Sequence, residues 1–475
     1  MGLKWSTLSS GHAGKGSPTT GQEHLTMSTI TEDTVYRLKE MKRVLKDIKK
    51  RGIKWIRVEI TDINGMACCK MLAVHTLKEL ESKLERGFSF PSVCMISSHS
   101  GSFYESAFKV KYFFSDVCAL PDLGSFRMIP WLEDTATFST VLYHINRQDL
   151  VVEHPRNVAI QQLHRLKSLG LSLMSACELE FRLCGTQGQD LLEEGTRISF
   201  STKILIKAND YIKKLFECLK QAGVPVDGIH AEHLPVSLEL IMKPSFGIKT
   251  ADDVVMCKNA CKEIALCNGY IAQFIPNPSG TGNGCTIHFN HSLWDKSGNV
   301  VSNVATGDLT DVGKHWIAGL LAHSRGLTPL LAPTVSGIKM FTDYDNPDRC
   351  EPSYVSWGRH NRSVTFRVKN ADGPSGSYIE NRIGRIDADP YLVLAGTVAA
   401  GLDGIINKLP LPEECRGNAH KDMPNNTPKI PCDMEEGIAA LVEDKALCEA
   451  LGQEFIDLIV AVRRHEIEYC NEKEI

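Results

Sequence analysis

Residues 171–181 read LSLMSACELEF, and the fold turns on how this stretch is taken. An apolar run over residues 171–176 leads into Glu178-Leu179-Glu180-Phe181, where acidic and apolar residues alternate. Alternation with period two marks a β-strand, because successive side chains leave opposite faces of the pleat. Leu179 and Phe181 then face a core, while Glu178 and Glu180 stand together on the other face. Upstream, Leu163, Leu166 and Leu169 recur at helical spacing beyond Pro155 and the pattern stops at Gly170, so a helix feeds the strand. Downstream, residues 234–241, 286–290, 363–368 and 378–382 are short strand candidates separated by helical stretches. The expected architecture is α+β, an antiparallel sheet backed by helices.

An isolated Glu-x-Glu pair in a strand also fits a plain solvent-facing edge. Glu232 and Glu239 bracket a proline-containing turn, His288 lies in a strand pattern after a glycine loop, and Glu380 sits in an alternating stretch. All six favour the inward face of one sheet. Five carboxylates gathered there would raise one another's pKa unless cations neutralised them. Oxygen-rich coordination with one imidazole suits Mg²⁺ or Mn²⁺ better than a tetrahedral structural zinc. Two such ions would suit phosphoryl transfer from ATP, which is largely charge neutralisation and alignment. Gly280-Thr281-Gly282-Asn283-Gly284 is followed by an alternating stretch instead of a helix, which disfavours a dinucleotide-binding fold. Its glycines either let backbone amides approach a substrate or form a simple turn. Arg359, Arg362, Arg367 and Arg382 cluster later, and guanidinium forks suit phosphate and carboxylate.

The chain has 475 residues, 43% of them hydrophobic and 23% charged, with a net charge of −4. That length suits two domains plus tails, and the balance gives no long-range pull towards nucleic acid or anionic lipid. Residues 1–30, rich in Gly, Ser and Thr, are expected to be a flexible tail. Val35, Leu38, Met41, Leu45 and Ile48 then recur at helical spacing among basic residues, whose face is either solvated or phosphate-binding. Residues 55–61 and 66–74 alternate around the turn Asp62-Ile63-Asn64-Gly65, which predicts a β-hairpin. These open a small domain over 31–140, followed by a larger one over 141–475 with a polar Pro/Asn loop at 410–431 and a helical C-terminus. The 16 cysteines are scattered without a C-x-x-C pair, which reads as reduced, mainly buried thiols. No apolar run of membrane-spanning length is present and the N-terminus is polar, so a cytoplasmic protein is expected.

Several motifs in order resemble the class I glutamine synthetases: Glu178-Leu179-Glu180-Phe181, the Glu232 to Glu239 spacing, Asn283-Gly284 before His288, residues 356–363, and Ile379-Glu380-Asn381-Arg382 ending in Asp389-Pro390-Tyr391. Phe126-Arg127 with Pro130-Trp131 and the terminal helices match too, so the likeness spans residues 35–470. The resemblance implies an N-terminal β-grasp domain, a catalytic domain, and a dodecamer of two stacked hexameric rings with sites between neighbouring subunits. By motif position, Glu180, Glu232 and Glu239 would hold a metal beside the amino-acid substrate. Glu178, His288 and Glu380 would hold the metal on the ATP phosphates. Arg362 and Arg367 would face phosphate, Arg382 the substrate carboxylate, and Asn283 and Gly284 the glutamate site. Asp62 would be lent by a neighbour to help deprotonate ammonium.

The chain also departs from that family. Met340 stands where the family has an arginine for the glutamate α-carboxylate, Tyr378 where it has an ATP-side arginine, and Asn290 where it has a histidine near the phosphates. Asn277 replaces a lysine, Val236-Ser237 a Gly-Gln pair, and Cys350 stands at the place of the flap glutamate with Glu351 next to it. One lost arginine weakens glutamate binding by about 10- to 100-fold. Substrate residues are eroded while metal residues stand. The pattern is similar to the vertebrate-lens branch of the family, regarded as lacking synthetase activity and as associating with intermediate filaments. The expectation is therefore a metal- and ATP-binding oligomer with lost or reduced glutamine synthesis. The alternative is an active ATP-dependent ligase joining ammonia or an amine to glutamate or another carboxylate. Guanido-kinase-like phosphoryl transfer is disfavoured by Asn283-Gly284 and Asp62.

Overall fold

The computed structural model describes residues 27–96, 115–188, 199–233, 237–276, 284–303, 305–341, 351–370 and 376–473. The expected hairpin is present: Trp55–Thr61 pairs antiparallel with Ala67–Ala73, and Gly65 takes the positive φ of 73° that the turn requires. Trp55–Thr61 also pairs in parallel with Thr135–Phe138, which completes a four-stranded sheet with Arg127–Met128. A second, three-stranded sheet joins Phe88–Pro91, Asp116–Pro121 and Thr140–His144, so the N-terminal sheets run past residue 140.

The first helix, Met27–Arg51, begins inside the stretch expected to be a tail, and residues 1–26 lie outside the described residues. Its expected apolar stripe is only half right. Met41, Val44 and Ile48 are buried, whereas Val35 and Leu38 are 64% and 53% exposed. The front of the helix is tied down by Arg37 instead, whose guanidinium donates to Leu84 O (3.1 Å) and Pro121 O (3.4 Å).

The second domain is built on a mostly antiparallel sheet in the order Trp357–Arg359, Phe366–Asn370, Ser377–Asn381, Ile287–Asp295, Ser172–Gly185, Ser237–Met242, Val226–Ala231. The exception is the pair Trp357–Arg359 and Phe366–Asn370, which is parallel. Ser172–Gly185 is the central strand, and its Leu173, Cys177, Leu179, Phe181 and Leu183 are buried on the face that the helices Pro155–Ser168 and Lys249–Cys267 touch. Behind them two apolar helices, Asp311–Leu331 and Pro390–Ile406, cross at glycines: a Cβ on Gly401 would lie 2.3 Å from the Trp316 ring. Register does the rest. It sets Glu178 opposite His288, Glu180 opposite Glu239, Glu239 opposite His230, and Glu380 opposite both Asn290 and Arg367.

Polar contacts join the two domains. Glu263 accepts from Arg57 Nη1 (2.8 Å) and Trp131 Nε1 (2.6 Å), Arg127 meets Asp253 (2.8 Å), and Arg463 donates to Asn64 Oδ1 (3.0 Å). The loop over 410–431 carries the short helix Ala419–Asp422, and Met434–Glu443, Lys445–Leu451 and Gln453–Lys473 are helical. Cysteines among the described residues are free thiols, and burial pushes Cys177 up to about 12 and Cys68 to about 11, which leaves them poor nucleophiles. No helix among the described residues is long and apolar enough to cross a membrane.

His291 makes the fold sensitive to acid. It is buried, its Nε2 accepts from Trp316 Nε1 (2.9 Å), and its Nδ1 faces Phe289 O at 3.3 Å, so the network assigns a neutral ring protonated at Nδ1. Burial pushes its pKa down to about 4. A base whose folded pKa is depressed contributes stability above its unfolded value of about 6.5 that is lost as pH falls towards the folded value. Urea midpoints followed by tryptophan fluorescence are expected to fall between pH 7 and 4, with His291 contributing up to about 3 kcal/mol. A midpoint flat across that window would show that the ring is not held neutral.

Candidate active site

The six residues singled out in the sequence converge on one face of the second-domain sheet, in two adjoining clusters. In the first, His288 Nδ1 lies 3.3 Å from Glu178 Oε2 and 3.4 Å from Glu380 Oε1. Their ligand atoms fall within 4.8 Å of one another, close enough for one ion. Cations of the protein also reach these oxygens. Lys369 Nζ is 3.3 Å from Glu178 Oε1 and 3.5 Å from Glu380 Oε2, Arg367 Nη1 is 3.2 Å from Glu380 Oε2, and Arg382 Nη1 is 2.9 Å from Glu380 Oε1. Burial works to raise the Glu178 carboxyl, yet the hydrogen bond with His288, with help from Lys369 and Asn290, holds it well below the usual carboxylate range. Glu380 is lowered in the same way, with Arg382, His288 and Lys369 overcoming burial.

The second cluster has the opposite electrostatics. His230 Nε2 is 3.5 Å from Glu239 Oε1 and His230 Nδ1 is 3.7 Å from Glu232 Oε1, again within 4.8 Å overall. Glu180 stands across the ladder from Glu239, and its oxygens accept from Thr286 N (3.0 Å) and Thr286 Oγ1 (2.8 Å). Burial pushes Glu180 up to about 8; Glu239 and Glu232 add to that rise, while His288 and Thr286 act against it. Glu232 is raised by burial and then by Glu239. Anions that repel one another in a buried place fit a divalent cation. The threonine links the clusters, since its Oγ1 is also 3.2 Å from His288 Nε2.

Residues 152–474 match the family described as glutamine synthetase, catalytic domain. The chain belongs to the glutamine synthetase family. The lengsin of Canis lupus familiaris is 32% identical over 437 residues, covering 90% of this chain and 73% of lengsin. A glutamate–isopropylamine ligase of Pseudomonas sp is 28% identical over 369 residues, 75% of this chain and 79% of that one. The apo structure of GmaS superposes with a TM-score of 0.78 at 20% identity, over 90% of this chain and 95% of that one, a likeness of fold.

Not all of the glutamine synthetase pattern is gathered at the clusters. Arg367 and Arg382 are engaged with Glu380, whereas Arg362 is exposed. A Cβ on Gly284 would lie 1.5 Å from Pro276 O and 2.6 Å from Met340 Cε, so only glycine fits and a buried thioether covers it. Asn283, like Asn277, Val236 and Cys350, lies outside the described residues. Asp62 keeps other company within the protomer: it is buried in the N-terminal hairpin turn, and its Oδ1 accepts from Asn64 N (2.9 Å) and Met66 N (2.8 Å). Burial pushes it up to about 7, against those amides and the charges of Arg463 and Lys262. Two of the departures sit at the first cluster. Asn290 Nδ2 donates to Glu178 Oε1 (3.1 Å), and the Tyr378 ring centroid lies 5.2 Å from Lys369 Nζ.

Sequence reasoning missed His230 and Lys369. Both carried a signal in the period-two rule: His230 stands two residues before Glu232, and Lys369 two residues after Arg367.

Proposed function

We propose that this protein is a metal- and nucleotide-binding homo-oligomer of the glutamine synthetase family in which glutamine synthesis is lost or reduced. The observation that carries this reading is Met340, fully buried against Gly284, where the family pattern has an arginine for the substrate's α-carboxylate. A thioether donates no hydrogen bond, and a carboxylate brought against it loses water without compensation. His230, Glu232 and Glu239, with Glu180 across the ladder, would hold one Mg²⁺ or Mn²⁺. That ion, when bound, supplies positive charge beside a substrate carboxylate. Glu178, His288 and Glu380 face the phosphate side, where Arg362 and Arg367 would meet ATP oxygens, and Arg382, which pairs with Glu380, would face the substrate carboxylate. By the family pattern, Asn283 and Gly284 would serve the glutamate site. Family members generally use ATP and divalent metals and are typically homo-oligomers. In a dodecamer of two hexameric rings, Asp62 serves the neighbouring subunit, and burial holds it near 7, as a proton acceptor needs. A cytoplasmic role beside intermediate filaments belongs to this reading through the resemblance to the vertebrate-lens branch of the family.

The test is γ-glutamyl hydroxamate formation from glutamate, hydroxylamine and Mg-ATP by the purified protein. No product above background is expected, and rapid product formation would refute the reading. Met340→Arg is expected to tighten glutamate binding about 10- to 100-fold in a calorimetric titration. The second reading, an active ligase for another amine or carboxylate, is favoured by the intact acidic residues of both clusters. Amine-dependent phosphate release from Mg-ATP across a panel of amines checks it, and a panel without response removes it.

A further inference from the structure

We propose that the Lys369 ammonium is the resident cation of the Glu178–His288–Glu380 cluster, so that each protomer takes up one divalent ion, at His230, Glu232 and Glu239, rather than two. This rests on the metal-binding reading above and changes its stoichiometry.

Two carboxylates at the first cluster face three full positive charges, those of Lys369, Arg367 and Arg382. The second cluster sets three carboxylates, Glu180, Glu232 and Glu239, against the single imidazole of His230, with no lysine or arginine ion pair to any of the three among the described residues. Neutralisation is complete at one cluster and lacking at the other. A divalent ion such as Mg²⁺ coordinates carboxylate oxygen at about 2.0–2.1 Å, and it is held less strongly by a carboxylate whose charge lysine and arginine already offset. Lys369 pairs with Glu178 Oε1 and Glu380 Oε2, Arg367 with Glu380 Oε2 and Arg382 with Glu380 Oε1, so among the described residues only Glu178 Oε2 of the four oxygens meets no lysine or arginine.

The lysine is placed by the ladder, not by chance of rotamer. Phe366–Asn370 pairs with Ser377–Asn381 so that Arg367 faces Glu380 and Lys369 faces Tyr378. Alternation sends both cations to the acidic face. There the Lys369 side chain is 14% exposed, and the Tyr378 ring, 5.2 Å from Nζ, adds cation–π attraction. A fixed ammonium gives the cluster a positive charge that does not depend on free metal. Nucleotide phosphate arriving there is met by protein cations.

Mn²⁺ titration of the chelator-stripped full chain, with free Mn²⁺ read by its paramagnetic resonance signal, tests this. One ion per protomer is expected in the unaltered protein and in Lys369→Arg, and two in Lys369→Met or Lys369→Gln. Two ions in the unaltered protein overturn the proposal whatever the variants do. One ion in folded neutral variants overturns Lys369 as the occupant. No ion in any of the proteins overturns the metal-binding reading itself.

Discussion

Glu239→Gln is expected to weaken Mn²⁺ binding more than about 100-fold while leaving the metal-free protein more stable than before. Glu239 is the pivot of the second cluster, opposite Glu180 on one neighbouring strand and His230 on the other. Outer partners of a metal ligand are worth about 10- to 100-fold in affinity, so a charged ligand itself is worth more. The amide keeps an oxygen but loses the charge that a hard dication seeks. In the metal-free state the sign reverses, because Glu239 helps raise Glu180 by repulsion inside a buried site. Glu180 is an acid whose folded pKa lies above its unfolded one, so its contribution is present below about 4.3 and lost as pH rises through the folded value. Removing the neighbouring charge lowers that folded pKa and reduces the loss at neutral pH. Calorimetric Mn²⁺ titration and urea midpoints at pH 8 are expected to move in opposite directions. A variant that loses affinity and stability together would show that Glu239 is structural rather than a ligand.

The same contrast explains what was legible in the sequence. The central strand was readable because alternation of Leu179 and Phe181 with Glu178 and Glu180 is a local signal with a single period. His288 and Glu380 came with it, since each also lies in an alternating stretch. His230 escaped because half-buried Val226 and Ile229 and buried Ala231 do not alternate cleanly around it, and its role follows only from pairing with Glu239. Lys369 escaped for a more general reason: a lysine near a strand end reads as solvated, and its contact with Glu178 crosses two strands. The misread half of the first helix has a similar origin. Val35 and Leu38 keep the helical period, but the local tie to the domain is made by the Arg37 guanidinium to backbone carbonyls.

Arg156→Met is expected to cost about 3–5 kcal/mol of stability, the largest loss from any one charged side chain considered. Arg156 is 2% exposed and forks onto one carboxylate, with Nε 2.8 Å from Asp252 Oδ1 and Nη2 2.9 Å from Oδ2. Its Nη2 also meets Asp122 Oδ2 at 2.7 Å, so one guanidinium ties the N-terminal domain to the helix Lys249–Cys267 beneath the central strand. The Tyr391 hydroxyl donates to Asp252 Oδ1 at 2.6 Å, which leaves the carboxylate ionised and buried when the arginine goes. That stranded charge, rather than the lost attraction, dominates the cost, because a buried pair replaced whole is often nearly neutral. Arg156→Met with Asp252→Asn is therefore expected to regain at least half of the loss, since the amide oxygen still accepts from Tyr391. Urea midpoints of the two variants measure this directly. If the double variant is as unstable as the single one, the domain tie through Asp122 carries the energy instead. Mn²⁺ stoichiometry is expected to stay unchanged in the double variant, because the Glu180 and Glu239 side chains, paired across the ladder, leave the face of the sheet opposite the one this helix packs on.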